Sequence, residues 1–246
     1  MKASLFLAIL LFLPILAAAQ KRPITIFLAG DSTMAPKQTD KRPETGWGER
    51  LGRNFREGTV QIENRAMNGR STKTFISEGR WQAIIEDLQK GDYVFIQFGH
   101  NDESKDKGER YTPPEDYKRN LARFVEEVRA KEGMPVLLTP VMRRRFDKEG
   151  RFYDTHGTYP DLVRSVANEM KVPIIDMHKM SEGLIVKYGV EGSKKLFLQL
   201  EPGENPNYPN GIDDNTHFSP LGAVEMAKLA VDGISKAKIG LRKYLK

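Results

Sequence analysis

The chain has no cysteine among its 246 residues. No disulfide can brace it, and no lipid can be attached through an N-terminal cysteine. Its one long apolar run, near the start, is shorter than the roughly 20 residues that span a bilayer. Neither a Gly-x-Ser-x-Gly stretch nor a Gly-rich loop ending in Gly-Lys-Ser/Thr occurs, which sets aside the strained nucleophile elbow and nucleoside triphosphate chemistry. Internal repeats and low-complexity segments are missing as well, so no repeat architecture is indicated. Histidine is scarce: any imidazole chemistry must use one of four residues, His100, His156, His178 or His217.

What is present begins with Lys2, an apolar run to Leu16 and then Ala17-Ala18-Ala19, the three-part form of a secretory signal peptide. Residues 1–20 are expected to be removed, leaving 21–246 as one domain with no membrane anchor. An exported bacterial protein, secreted or periplasmic, is the natural setting, since small eukaryotic secreted domains more often carry bridges. The formal charge of +6 becomes +5 without Lys2. That excess fits an acidic partner, but the basic residues are dispersed and no aromatic-interleaved basic stripe supports nucleic acid. Solubility alone accounts for such a charge equally well.

Short β-branched and aromatic runs alternate with helical patterns along the chain. The runs are 24–29, 60–64, 93–98, 135–139 and 172–176. Tyr117, Leu121, Phe124, Val125 and Val128 repeat at helical spacing, as do Leu162, Val163, Val166, Ala167 and Met170. A last helix should start with Ser219 as N-cap and Pro220 at its first position, burying Leu221, Val224, Val231 and Ile234. The expected fold is α/β: a five-stranded parallel sheet covered on both faces. Residues 202–213, rich in Pro, Asn and Gly, read as an irregular loop of unusual length.

Gly30-Asp31-Ser32-Thr33 follows the first strand directly. A serine there stands at the carboxyl edge of the sheet, where open α/β folds place their ligand crevice. As a nucleophile it needs a base, an orienting carboxylate and oxyanion donors. His217, in Asp213-Asp214-Asn215-Thr216-His217-Phe218, is the strongest candidate base, with Asp214 three residues upstream on a turn approaching a helix. Asp213 is the alternative orienter. The same residues could simply cap a helix, or bind a divalent ion, although the missing cysteine and the lack of a second histidine at helical spacing make metal the weakest reading. Oxyanion donors can come from Gly69 after the second strand and from the Asn101 amide after the third, with the Ser32 N–H beside them. Each, taken alone, is also an ordinary turn former.

The order Gly30-Asp31-Ser32, Gly69, Gly99-His100-Asn101-Asp102 and Asp214-Asn215-Thr216-His217 resembles the SGNH (GDSL-type) esterase/lipase superfamily. Asn64-x-Ala66-x-x-Gly69-Arg70-Ser71, Gly79-Arg80-Trp81 and Phe98-Gly99-His100-Asn101-Asp102 extend the likeness to the rhamnogalacturonan acetylesterases within it. Thr33 stands where leucine is usual in the wider superfamily. The resemblance implies a flavodoxin-like three-layer α/β/α sandwich, with Ser32 as nucleophile, His217 as base, Asp214 as its orienter, and Gly69 and Asn101 as oxyanion donors. No cofactor or metal is required.

The expected activity is removal of acetyl groups from an acidic plant cell-wall polysaccharide, most simply rhamnogalacturonan, by a monomer. No long apolar lid flanks the motifs, which favours acetyl over a fatty acyl chain, and the run Arg143-Arg144-Arg145 could meet a sugar acid. Xylan or other oligosaccharide acetylesterase, lipid esterase or lysophospholipase, and non-catalytic carbohydrate binding are the alternatives.

Overall fold

The computed structural model describes residues 22–246, so the signal peptide expected at 1–20 lies outside the described residues. Strands β1 (Ile24–Gly30), β2 (Val60–Asn64), β3 (Tyr93–Gln97), β4 (Met134–Leu138) and β5 (Ile174–Ile175) form one parallel sheet in the order β2-β1-β3-β4-β5. Each lies within two residues of its expected bounds. Around them run α1 (Gly48–Leu51), α2 (Thr72–Ser77), α3 (Arg80–Asp87), α4 (Pro114–Ala130), α5 (Tyr159–Glu169), α6 (Met177–Gly192) and α7 (Pro220–Lys236).

Side chains alternate along a strand, and β1 uses both faces. Ile26 and Leu28 enter a core with Leu51 of α1, Ile185 of α6 and Met226 of α7, whereas Phe27 and Ala29 enter another with Phe75, Trp81, Tyr117 and Val163 of α2 to α5. The result is the expected three-layer sandwich. It explains why β3 runs apolar from Val94 to Ile96 without alternating: all five of its residues, Gln97 included, are buried. Trp81 belongs to this core, stacked on Phe124 with its indole N–H donated to Glu127. It lies outside the cleft described below.

The expected stripes of α4 and α5 face the sheet, with Leu162 and Met170 only half-buried at the margin. α7 starts as expected, the Ser219 hydroxyl accepting from the Gly222 N–H. Its buried face, however, is Ala223, Met226, Ala227, Ala230 and Ile234, while Leu221 is exposed. The cause is close approach: a side-chain carbon at Gly222 would overlap the Leu196 carbonyl, and one at Gly233 would overlap Ile175. A helix this near its neighbours presents small residues at the points of closest approach. Of the four residues expected to be buried, Ile234 is, Val224 and Val231 are half-buried, and Leu221 is exposed.

The expected loop is the tip of a hairpin, irregular over 202–211, with only Ile212 and Asp213 already in a strand. β6 (Phe197–Leu200) pairs antiparallel with β7 (Ile212–Phe218) around a tip at 201–211. Asp213-Asp214-Asn215-Thr216 carries none of the β-branched alternation that marks a strand, which is why the sequence hides it. The tip is clasped to the 39–42 segment by Asn207, which donates to the Thr39 and Arg42 carbonyls, and by the Tyr208 hydroxyl, which donates to Lys41. Among the described residues no helix is long and apolar enough to cross a membrane.

Alanine at Gly222 tests the packing of α7. Intrinsic propensity favours alanine by about 1 kcal/mol, but the overlap with a fixed backbone carbonyl should reverse the sign and destabilise Gly222→Ala by roughly 1–3 kcal/mol in urea unfolding.

Candidate active site

The strand order carries the chain from β1 to β2 on one side and then back to β3 on the other. Between the carboxyl ends of β1 and β3 a crevice must open, and Ser32 and Asn101 follow those two strands. Ser32 sits on a turn in which the Met34 and Ala35 amides donate to the Asp31 carbonyl. It is 9% exposed. Its hydroxyl lies 2.8 Å from His217 Nε2.

His217 reaches Ser32 through an irregularity of the hairpin. Phe197 pairs with Phe218 and Leu198 with Asp214, so Asn215, Thr216 and His217 bulge out between two held positions. Phe218 is buried on one side, and Arg144 holds the bulge on the other, its amide donating to the Asn215 carbonyl and its guanidinium to the Asn215 side chain. The expected turn before a helix is thus a bulged strand. The bulge still places Asp214 beside the imidazole, with Oδ2 2.7 Å from Nδ1. Asp214 Oδ1 accepts from the Thr216 and His217 amides as well, so the carboxylate both caps backbone and faces the ring. Asp213 points elsewhere, accepting from Gln199 and Asn215. Half-burial alone would raise the Asp214 carboxyl, but the hydrogen bond and charge of His217 and the two amides hold it below its ordinary value.

Gly69 and Asn101 line the same cleft. Gly69 has φ of +76°, a left-handed conformation that favours glycine. The Asn101 amide donates one hydrogen to the Arg70 carbonyl, tying the two oxyanion candidates together and leaving its second hydrogen for a ligand. A hydroxyl, an imidazole with its carboxylate, and N–H donors thereby meet at one cleft. Such a set can carry out acyl transfer.

Residues 28–223 match the GDSL-like lipase/acylhydrolase family. The chain belongs to that family. It is 46% identical over 225 residues to rhamnogalacturonan acetylesterase RhgT of Bacillus subtilis (strain 168), an alignment covering 92% of this chain and 95% of that one. Among solved structures it is similar to YxiM of Bacillus subtilis, with a TM-score of 0.75 and 26% identity over 89% of this chain; this chain spans 58% of that longer protein. It also shares its fold with Axe2, an acetylxylan esterase from Geobacillus stearothermophilus, at a TM-score of 0.61 and 18% identity over 87% of this chain and 94% of that one. As a GDSL-like hydrolase, the protein is an enzyme that cleaves carboxylic esters.

The cleft of this GDSL-like hydrolase measures about 540 Å³ and is strongly cationic. Lys41, Lys107, Arg110, Arg143 and Arg145 line it against one carboxylate, Glu44, which pairs with Lys37. Charge that looks dispersed in sequence is concentrated here by the fold. The triple arginine divides its work: Arg143 is bound to Glu103 and the His100 carbonyl, Arg144 braces the bulge, and Arg145 faces the cleft. Arg110, whose guanidinium lies over Gly69, was not legible in the sequence, because no motif surrounds it.

The other histidines are held by partners of their own, although His100 also lines the cleft. His100 Nδ1 contacts buried Asp31 at 3.1 Å, and its T-shaped neighbour His156 lies between Glu103 and the Val141 carbonyl. His178 approaches Asp154. Burial pushes His100 down to about 4 against the pull of Asp31. Burial would raise Asp31, but His100 and the Thr33 amide and hydroxyl outweigh it and hold the carboxyl at about 2. Thr33 also accepts from Gln97, which accepts in turn from Trp47. A leucine at position 33 could not complete that chain. Among the described residues no three His, Cys, Asp or Glu side chains are grouped to hold a metal ion.

Asp102 is the opposite case. Its Oδ1 accepts from the Thr72 amide and hydroxyl, while Oδ2 is buried without a partner among the described residues. Burial lifts its carboxyl to about 7 despite the Thr72 bonds. Between about pH 4 and about pH 7 the folded chain therefore keeps a proton that the unfolded chain has released, and stability falls as pH rises through that window. Asp102→Asn should remove a slope of up to about 1.4 kcal/mol per pH unit, read from urea midpoints at several pH values. For the dyad, Asp214→Asn should lower kcat by orders of magnitude, about 10⁴-fold where a tautomer is lost, whereas Asp213→Asn should stay within a few-fold.

Proposed function

We propose that the protein is an exported acetylesterase acting on an acidic cell-wall polysaccharide, rhamnogalacturonan being the best-supported substrate. The observation that carries the chemistry is the continuous hydrogen-bonded chain Ser32–His217–Asp214, at 2.8 and 2.7 Å. Ser32 Oγ attacks the acetyl carbonyl while His217 Nε2 takes its proton, and Asp214 holds the other ring nitrogen and stabilises the imidazolium. The Ser32 and Gly69 amides and the Asn101 side chain receive the oxyanion. The tetrahedral intermediate then expels the sugar hydroxyl, protonated by His217, and leaves an acetyl ester on Ser32. Water activated by His217 repeats the sequence to release acetate.

Two observations support the substrate. The relative of 46% identity is named a rhamnogalacturonan acetylesterase, and the cationic cleft suits a polymer bearing carboxylates. The signal-peptide pattern at residues 1–20, with one catalytic domain at 21–246, supports export.

The test compares wild type with Ser32→Ala on acetylated rhamnogalacturonan, acetylated xylan and a short-chain aryl acetate, measuring acetate release. Wild type should favour the acidic polymer, and Ser32→Ala should lose about 10⁴-fold or more in kcat on all three. Rising salt should raise KM for the acidic polymer far more than for xylan, since the screening length shrinks from about 30 Å at 0.01 M to about 3 Å at 1 M. Retained activity in Ser32→Ala would remove the nucleophile assignment, and a preference for long acyl chains would move the substrate to lipid.

A further inference from the structure

Lysine is seldom buried unless its charge is met, yet Lys37 has only 1% of its side chain exposed beside the Ser32 turn. Its ammonium meets three acceptors: the Ser32 carbonyl at 2.5 Å, Asn68 Oδ1 at 2.9 Å and Glu44 Oε1 at 2.7 Å. Three donors face three acceptors, so nothing on the cation is left over. Fold stability alone is a poor reason for such a group, because replacing a buried ion pair by apolar residues is often neutral or stabilising.

The acceptors themselves point to a role in the reaction. Ser32 contributes one oxyanion amide, and Asn68 immediately precedes Gly69, which contributes another. Neither the Ser32 nor the Gly69 N–H is donated to a partner among the described residues. The two segments come from opposite flanks of the site, one after β1 and one after β2, and the ammonium links them directly.

We propose that Lys37 is a positioning residue: by clamping the Ser32 carbonyl to the Asn68 side chain, it sets the spacing between the Ser32 and Gly69 amides. This rests on the reading of Ser32 as nucleophile. The clamp acts on the tetrahedral intermediate and little on the bound ester, because the two donors must converge on an oxygen that has moved out of the carbonyl plane. A misplacement of about 1 Å in such a site costs on the order of 10²-fold in rate.

Two variants separate positioning from simple structural support. Lys37→Met/Glu44→Gln removes both charges together, so no buried ion is stranded, and Asn68→Ala cuts one arm of the clamp at an exposed residue. Each is assayed for kcat and KM on an aryl acetate, for its thermal midpoint, and for inhibition by methylboronic acid, which forms a tetrahedral adduct on a serine hydroxyl. The double variant should lose about 10²-fold in kcat with KM within about threefold, and Asn68→Ala about 10-fold at an unchanged midpoint. Boronate affinity should weaken in parallel in both. A folded double variant that keeps kcat and boronate affinity within about threefold overturns the proposal, as does the same result for Asn68→Ala should the double variant not fold. Ser32→Ala measured alongside keeps the two readings apart: residual activity there defeats the nucleophile assignment, whereas an inactive Ser32→Ala beside fully active clamp variants defeats only the role of Lys37.

Discussion

The reversal of strand order at β1 is the constraint on which the site depends. The chain leaves β1 for β2 on one side and returns to β3 on the other, so the connections diverge and cannot fill the space above the sheet. Ser32, Gly69 and Asn101 are brought to that space by the topology, since each is among the first residues after its strand. None needs a long side chain to reach it. The positions are as rigid as the sheet, and the buried chain Trp47–Gln97–Thr33–Asp31–His100 stiffens the turn that bears the serine.

His217 arrives by a different route. The sheet supplies no strand end for it, and it is carried on a hairpin outside the sheet, held by Phe218 in the core and Arg144 from the side. Its carboxylate partner, Asp214, is the paired residue at the foot of that three-residue bulge. Carboxylate and imidazole are thus matched by local geometry, while their meeting with the serine depends on how the hairpin docks. The small face of α7, pressed against Leu196 at one end and Ile175 at the other, fixes that docking.

Much of this was legible in the sequence. Strand ends are marked by the change from β-branched residues to Gly, Asn and Asp, which is why the sheet, Ser32, Gly69 and Asn101 could be named from residue order. The hairpin was hidden because Asp-Asp-Asn-Thr is poor strand sequence and forms a ladder only where tertiary contacts hold it. The face of α7 was legible at Ile234 but not at Gly222, Ala223, Ala227 and Ala230, because close packing there selects glycine and alanine over leucine. Lys37 was invisible for a related reason. A lysine between Pro36 and Gln38 reads as solvated surface, and only the enclosure of its head by Ser32, Asn68 and Glu44 shows otherwise. Arg110 likewise acquires meaning only once the loop after β3 folds over Gly69.

Ser32 and His217 are 185 residues apart in the chain. All five strands of the sheet, with Ser32, Gly69 and Asn101, precede α6. A chain that stopped before the hairpin would therefore carry all five strands and Ser32 but neither Asp214 nor His217. His100, which precedes the hairpin and lines the same cleft as Ser32, is held against Asp31 instead. The core on the Leu28 side of the sheet closes only with Ile185 of α6 and Met226 and Ile234 of α7. The dyad and the cover of one sheet face thus lie on one C-terminal stretch, and losing that stretch would take both away together.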